Sequence, residues 1–293
     1  MTSNPTLPNY ARIVEVGPRD GLQNEKQAIG IDTRINLVNM LAEAGLSYIE
    51  TGSFVSPKWV PQMANTDQVF AGIHRQPNAA YIALVPNMQG FEQAVTAKAD
   101  EVAIFTTASE TFAKKNTNCT IAESIERFKP IIERAKALNI PVRGYISCIA
   151  ACPYEGLIAP IEVAKLAAQL ISMGCYEVSL GDTIGSATPE QISEILECVL
   201  PYVPADKLAV HFHDTNGRAI ENIHVALQYG ISVIDSAIGG LGGCPYAEGA
   251  TGNVATESVV DLLDKLNIRH DINWEKLNKA SQYIRQALTN SAP

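Results

Sequence analysis

The 293-residue sequence has little positive charge. Its 22 lysines and arginines face 31 acidic residues, which gives a formal net charge of −9 at pH 7. A protein that binds nucleic acid or an anionic membrane through its surface charge needs a basic patch, so neither is an expected partner. The sequence also lacks an apolar run as long as a membrane span. These absences favour a small-molecule ligand.

Paired cysteines are absent as well. The six cysteines are scattered along the chain and none forms a Cys-x-x-Cys pair, which argues against a disulfide scaffold and a zinc knuckle. Residues 1–11 contain no charged segment followed by an apolar one, so they do not resemble a secretory signal. Together these features predict a protein of the reducing cytoplasm.

What the sequence does contain is a regular alternation of short β-rich runs and helical patterns. The predicted strands lie near residues 12–16, 48–51, 80–84, 101–105, 142–148, 177–180, 208–213 and 233–237. The predicted helices lie near residues 33–44, 66–74, 91–97, 121–138, 161–173, 189–199, 220–229 and 256–266. Eight βα units close a (β/α)8 TIM barrel. We predict an α/β fold with one barrel domain over residues 1–293 and an extra C-terminal helical segment near residues 274–288, which could cap the barrel or meet a partner subunit.

Two of the helices have clear start signals. Thr120 and Glu123 have the spacing of a capping box, in which the hydroxyl and the carboxylate cover unpaired amide groups of the first turn. Thr188 is followed by Pro189 at the first helical position, where the missing N–H costs nothing. We therefore expect helices to begin directly after Thr120 and Thr188.

The strongest functional signal is the pair His211 and His213 at the end of an apolar strand. Alternate residues of a strand point to the same face, so the two imidazoles lie side by side. Two buried histidines satisfied by their neighbours would be the plain structural interpretation. Because neutral imidazole is the commonest protein ligand for metals, the spacing favours a metal site instead.

Other polar residues follow the predicted strands at the same end of the barrel. Active sites of this fold form at the C-terminal ends of the strands, so these residues are candidates. The candidates are Arg19, Asp20 and Gln23 after the first strand, Glu50 on the second, Tyr145 on the fifth, Asp182 after the sixth, and Cys244 and Asn253 in the glycine-rich segment after the eighth.

Several motifs resemble the hydroxymethylglutaryl-CoA lyase family, and the resemblance covers nearly the whole chain. The motifs are VGPRDGLQNEK at residues 16–26, SFVSPKWVPQM at 53–63, VRGY at 142–145, CPYEG at 152–156 and GLGGCPYA at 240–247. The resemblance implies a metal-dependent retro-Claisen cleavage of 3-hydroxy-3-methylglutaryl-CoA to acetyl-CoA and acetoacetate, as in leucine degradation. It also implies an acyl-CoA substrate, and we expect a homo-oligomer, a dimer or higher.

The metal ligands of the family correspond to Asp20, His211, His213 and Asn253. A set of two imidazoles, one carboxylate and one amide oxygen suits a divalent metal, Mg²⁺ or Mn²⁺, because it lacks the thiolates of structural zinc sites. The resemblance therefore adds Asp20 and Asn253 to the two histidines, which gives four predicted metal ligands.

The resemblance assigns catalytic roles to Arg19, Asp20, His211 and Cys244. Arg19 would stabilise the enolate of acetyl-CoA, and the alternative is a plain salt bridge with Asp20 or Glu50. Cys244 would move a proton, and its alternative is a small buried apolar residue. The remaining candidates would bind substrate or orient other groups, with ordinary structural hydrogen bonding as their alternative: Gln23, Glu50, Tyr145 and Asp182.

Three other functions remain open from the sequence. A lyase of the same type could act on a larger branched substrate such as the isohexenyl homologue. A related Claisen-condensing acyltransferase would share the Arg-Asp and His-x-His pairs. A barrel that binds metal or acyl-CoA without catalysis belongs to a different class of protein, and the complete set of ligands plus Arg19 and Cys244 speaks against it.

Overall fold

The computed structural model describes residues 7–25, 29–242 and 252–290. Within these residues, eight parallel strands close into a barrel in the order β1, β2, β3, β4, β5, β8, β9, β10 and back to β1. The barrel strands are β1 (Arg12–Glu15), β2 (Tyr48–Ser53), β3 (Ala80–Leu84), β4 (Glu101–Thr107), β5 (Val142–Ser147), β8 (Glu177–Asp182), β9 (Leu208–Phe212) and β10 (Val233–Ser236). The predicted (β/α)8 barrel is confirmed.

Helices follow the strands around the outside of the barrel. They are α1 (Ile31–Glu43), α2 (Thr66–Gly72), α3 (Met88–Thr96), α4 (Glu110–Thr117), α5 (Ile121–Ala137), α6 (Pro160–Met173), α7 (Pro189–Val199), α8 (Ala219–Gln228), α9 (Thr256–Lys265) and α10 (Trp274–Asn290). The sequence did not predict α4, nor the short hairpin of β6 (Ala151–Cys152) and β7 (Gly156–Leu157). No helix among the described residues is long and apolar enough to cross a membrane.

Both predicted helix starts are confirmed. The hydroxyl of Thr120 accepts from the N–H of Glu123 at 3.1 Å, while the carboxylate of Glu123 accepts from the N–H of Thr120 at 2.7 Å. Thr188 and Gln191 form the same reciprocal pair at the start of α7. Each pair satisfies two amide groups that the first helical turn leaves free.

The C-terminal helix α10 packs against α1. Leu277, Ala280 and Ile284 of α10 are fully buried, and their spacing of three and four residues places them on one face of the helix. Tyr283 accepts a hydrogen bond from Asn36 of α1 at 3.2 Å. The C-terminal segment therefore completes the helical layer over the barrel, which was one of the two possibilities left open by the sequence.

Candidate active site

A π-helical turn, Gly17–Gly21, carries Arg19 and Asp20 away from the end of β1. The turn is fixed by the buried carboxylate of Glu15, which accepts from the N–H of Gly17 at 2.8 Å. The same carboxylate accepts from the N–H of Ile238 at 2.8 Å and from the hydroxyl of Thr256 at 2.7 Å. Burial raises the pKa of Glu15 to about 7, against the effect of these three donors. Glu15 thus joins the segments after β1 and β10 with the start of α9.

Asp20, His211 and His213 come together at this end of the barrel. Each offers a ligand atom, and the three atoms lie within 4.8 Å of one another. Oδ2 of Asp20 is 3.8 Å from Nε2 of His211 and 4.0 Å from Nε2 of His213. Strand β9 ends at Phe212, one residue earlier than predicted, and His213 forms an isolated bridge with Asn253.

That bridge places the fourth predicted ligand beside the other three. The side-chain amide of Asn253 donates through Nδ2 to Oδ2 of Asp20 at 2.8 Å and to the carbonyl of Leu241 at 3.2 Å. The N–H of Val254 donates to the carbonyl of Phe212 at 3.2 Å, which keeps this segment next to β9. All four residues predicted as ligands are therefore neighbours.

The electrostatics of the cluster suit a cation. Burial acts to raise the pKa of Asp20, but Arg19 and the two histidines outweigh it and hold the pKa well below its usual range. Burial, and then the neighbouring His211, lowers the pKa of His213 to about 4. An ionised carboxylate and a neutral imidazole are the forms that bind metals. The donor set of the described residues therefore fits a divalent metal ion.

Arg19 lies against the cluster and makes both of the salt bridges considered from the sequence. Its Nη1 is 2.6 Å from Oδ1 of Asp20, and its Nη2 is 2.7 Å from Oε2 of Glu50. Burial raises the pKa of Glu50, and the charge of Arg19 opposes that effect. The guanidinium is nevertheless at the mouth of the barrel, 5.8 Å from the centre of the Tyr145 ring.

A cavity of about 250 Å³ opens above these side chains. Gln23 and Tyr145, predicted to bind substrate, both line it. The lining also includes Arg19, Asp20, His211 and His213. Its apolar wall is formed by Val55, Val60, Leu84, Phe105, Phe112 and Ile146. A larger groove of about 1100 Å³ lies between α2 and α3, and its described lining contains none of the predicted site residues.

Asp182 does not line this cavity. The carboxylate of Asp182 accepts from the N–H groups of Ser186 at 3.3 Å and Ala187 at 2.9 Å, so it holds the loop between β8 and α7. This is the structural hydrogen bonding that the sequence left as the alternative. Cys244 lies in residues 243–251, outside the described residues.

Two residues beyond the predicted candidates contact this site from within the barrel. Asp235 of β10 places its Oδ2 3.3 Å from Nδ1 of His211. Arg143 of β5 donates to both carboxylate oxygens of Asp235, at 3.0 and 2.7 Å. A charged residue inside an otherwise apolar strand was the available signal in both cases, since such residues are rarely buried unless they are paired.

The fold and these side chains define a (β/α)8 barrel whose mouth holds a set of residues able to ligate a metal ion. The sequence profile of the HMGL-like family matches residues 11–284, and the chain belongs to this family. The human protein "Hydroxymethylglutaryl-CoA lyase, mitochondrial" is 55% identical over 283 residues, which cover 97% of this chain and 87% of the human protein. The predicted family and the predicted class of enzyme, a carbon–carbon lyase, are confirmed.

Solved structures agree with this assignment. The hydroxymethylglutaryl-CoA lyase from Pseudomonas aeruginosa has a TM-score of 0.95 and 54% sequence identity, and the match covers 96% of this chain and 94% of that chain. An HMG-CoA lyase from Acinetobacter baumannii, solved in complex with coenzyme A and 3-methylmalate, has a TM-score of 0.91 and 36% identity, with 99% and 93% covered. These are the proteins that this chain resembles over almost its full length.

Proposed function

We propose that the protein cleaves 3-hydroxy-3-methylglutaryl-CoA to acetyl-CoA and acetoacetate in a metal-dependent retro-Claisen reaction. The observation that carries this proposal is the convergence of Asp20, His211, His213 and Asn253 beside Arg19 at the barrel mouth. The activity is also the one named for the relatives that match the chain over almost its full length.

The four clustered residues would hold Mg²⁺ or Mn²⁺, which prefer this mixture of oxygen and imidazole nitrogen ligands. Chelation of the C3 hydroxyl and a carboxylate oxygen of the substrate, with a lowered hydroxyl pKa, is the chemistry that a bound ion supplies. Asn253 presents its nitrogen to Asp20 in the structure, so the amide would turn to offer its oxygen as a ligand.

The remaining steps fall to the side chains of the mouth. The C3 hydroxyl proton would pass to a base at the barrel mouth, Asp20 or His211, which are catalytic residues carried over from the family and line the cavity. The C2–C3 bond then breaks, and acetoacetate leaves while the enolate of acetyl-CoA keeps the electron pair. Arg19 would stabilise the enolate oxygen, because a fixed cation in a buried site favours charge that develops in the transition state. Cys244 would deliver the proton to carbon, a role that we carry over from the family.

Gln23 and Tyr145 would position the acyl group, since both line the cavity. Glu50 would hold Arg19 in place, and Asp182 would act through the loop after β8. The acyl-CoA would enter from the open end of the barrel. A homo-oligomer and a cytoplasmic location remain predictions from the sequence; the human relative is named as mitochondrial.

The test is turnover of 3-hydroxy-3-methylglutaryl-CoA, followed by acetoacetate release after chelation and again after addition of Mg²⁺ or Mn²⁺. We expect activity to disappear with the chelator and to return with the metal. Activity that survives complete removal of the metal would contradict the metal-dependent mechanism. Folded protein that is inactive with both metals would favour the larger branched substrates or the condensing reaction.

A further inference from the structure

A chain of buried charged side chains runs from His211 along the inside of the barrel. Arg143 is its centre: Nε donates to Oε1 of Glu177 at 2.8 Å, and both terminal nitrogens donate to the carboxylate of Asp235. Glu177 also pairs with Arg12, which is partly exposed near the start of β1. The chain therefore connects the mouth of the barrel with its opposite end.

These side chains share the interior of the barrel because of the strand register. Arg143 on β5 is paired with Glu177 on β8, and Asp235 on β10 is paired with His211 on β9. In-register residues on neighbouring strands point to the same side of the sheet. The carboxylate of Asp235 is therefore held between Arg143 and His211 by the barrel itself.

Asp235 is satisfied by donors on every side. Oδ2 accepts from Nη1 of Arg143 at 3.0 Å and from the hydroxyl of Ser179 at 2.8 Å, while Oδ1 accepts from Nη2 of Arg143 at 2.7 Å. The guanidinium neutralises the buried charge, and the bidentate geometry fixes the rotamer of the carboxylate. Nδ1 of His211 lies 3.3 Å from Oδ2, close to the carboxylate but short of ideal hydrogen-bond alignment.

The two histidines of the cluster differ in this respect. Both Nδ1 atoms are buried, and neither makes a hydrogen bond of good geometry with the described residues. Nδ1 of His211 nevertheless lies 3.3 Å from the carboxylate of Asp235, whereas the only described carboxylate near His213 is that of Asp20, on its Nε2 side. A carboxylate on the distal nitrogen of a metal-bound histidine fixes its tautomer and makes it a stronger ligand. Within the described part of the chain, His211 alone has a carboxylate on its distal nitrogen.

We infer that Asp235, held in place by Arg143 and Ser179, is a positioning residue that keeps the proton of His211 on Nδ1 and presents Nε2 to the metal. This inference rests on the metal site of the proposed function. Asp235 does not touch the substrate cavity, so its effect passes through His211. Arg143 acts one step further away, because it orients the carboxylate.

The test is the affinity for Mn²⁺ in the absence of substrate, measured from the free-ion signal in electron paramagnetic resonance. We expect Asp235→Asn to weaken Mn²⁺ binding about 10- to 100-fold, the usual effect of removing such a partner. The asparagine amide can donate to Nδ1, which would move the imidazole proton to Nε2 and block the ligand atom.

Arg12→Gln is the matched control. It also removes a charge from the network, but at the end remote from His211, so we expect a loss of thermal stability with unchanged Mn²⁺ affinity. Equal weakening in both variants would indicate a general loosening of the barrel and would overturn the inference. Unchanged affinity in Asp235→Asn would overturn it directly, and failure of the wild type to bind Mn²⁺ would overturn the metal site of the proposed function as well.

A measurement on the wild type keeps the inference testable if Asp235→Asn does not fold. Two-bond proton–nitrogen correlation spectra of the metal-free protein report which ring nitrogen of each histidine carries a proton, and His211→Gln assigns the signals. We expect Nδ1 of His211 to be protonated and Nε2 to be bare. A proton on Nε2 would contradict the assigned role of Asp235.

Discussion

Two nitrogens of the Arg19 guanidinium contact the same carboxylate oxygen of Glu50. Oε2 of Glu50 accepts a hydrogen bond from Nε of Arg19 at 2.7 Å and forms an ion pair with Nη2 at the same distance. Oε1 is buried with no hydrogen-bond partner among the described residues. One edge of the guanidinium therefore faces Glu50. The remaining nitrogen, Nη1, bonds Asp20 at 2.6 Å, so Arg19 is fixed between the second strand and the metal-ligand cluster.

The first prediction concerns the charge of Arg19. Arg19→Met should fold and bind Mn²⁺ yet lose about 3 kcal/mol of transition-state stabilisation, roughly a hundredfold or more in kcat, as expected for a lost enolate-stabilising donor. The measurements are kcat with saturating metal and the Kd for Mn²⁺. Near-normal turnover would remove Arg19 from its proposed role.

The second prediction concerns Glu50 as the residue that holds Arg19. Glu50→Gln keeps the shape but removes the negative charge, so we expect kcat to fall because Arg19 is less firmly oriented. In a double-mutant cycle, the same change made in Arg19→Met should have little further effect on kcat. Two independent, additive losses would show that Glu50 acts by another route.

The third prediction concerns the pair of histidines. His213→Ala should weaken Mn²⁺ binding, because it removes one ligand from the cluster of three. His270→Ala is the control, since His270 pairs with Asp264 and takes no part in the cluster. Both variants are titrated with Mn²⁺, and equal affinities would refute the assignment of His213 as a metal ligand.

The fourth prediction concerns Glu15 and the pH dependence of stability. The pKa of Glu15 is raised from 4.5 to about 7 in the folded protein, so between these values the folded state binds more protons than the unfolded state. Stability contributed by this group must therefore fall as the pH rises through that window. The metal-free wild type should lose about 3 kcal/mol relative to Glu15→Gln between pH 4.5 and 7, given 1.36 kcal/mol for each pKa unit.

Urea unfolding of both proteins in the presence of a chelator measures this difference. Groups other than Glu15 titrate in both proteins and cancel when the two curves are subtracted. A difference that stays constant across the window would show that the carboxylate is ionised throughout, held in that form by Gly17, Ile238 and Thr256.

The sequence by itself determined the eight strands of the barrel, most of its helices and much of the site. The alternation of strands and helices is a local pattern, and the observed bounds of β3 and α7 equal the predicted ones. The spacing of His211 and His213 fixes a shared face through the geometry of any strand. The family motifs supplied Asp20 and Asn253, and the barrel brought both to the histidines.

Only the tertiary structure decided how these residues are held. Asp235 and His211 are 24 positions apart in the chain, and Arg143 is 92 positions from Asp235. Their contacts depend on the register between neighbouring strands and on the side of the sheet that becomes the interior. Asp182 and Glu50 both lie on apolar strands. Glu50 pairs with Arg19, whereas Asp182 accepts hydrogen bonds from the backbone of the loop that follows its strand. These contacts form only when the barrel closes, because closure buries side chains that are distant in sequence and leaves them few hydrogen-bond donors to pair with.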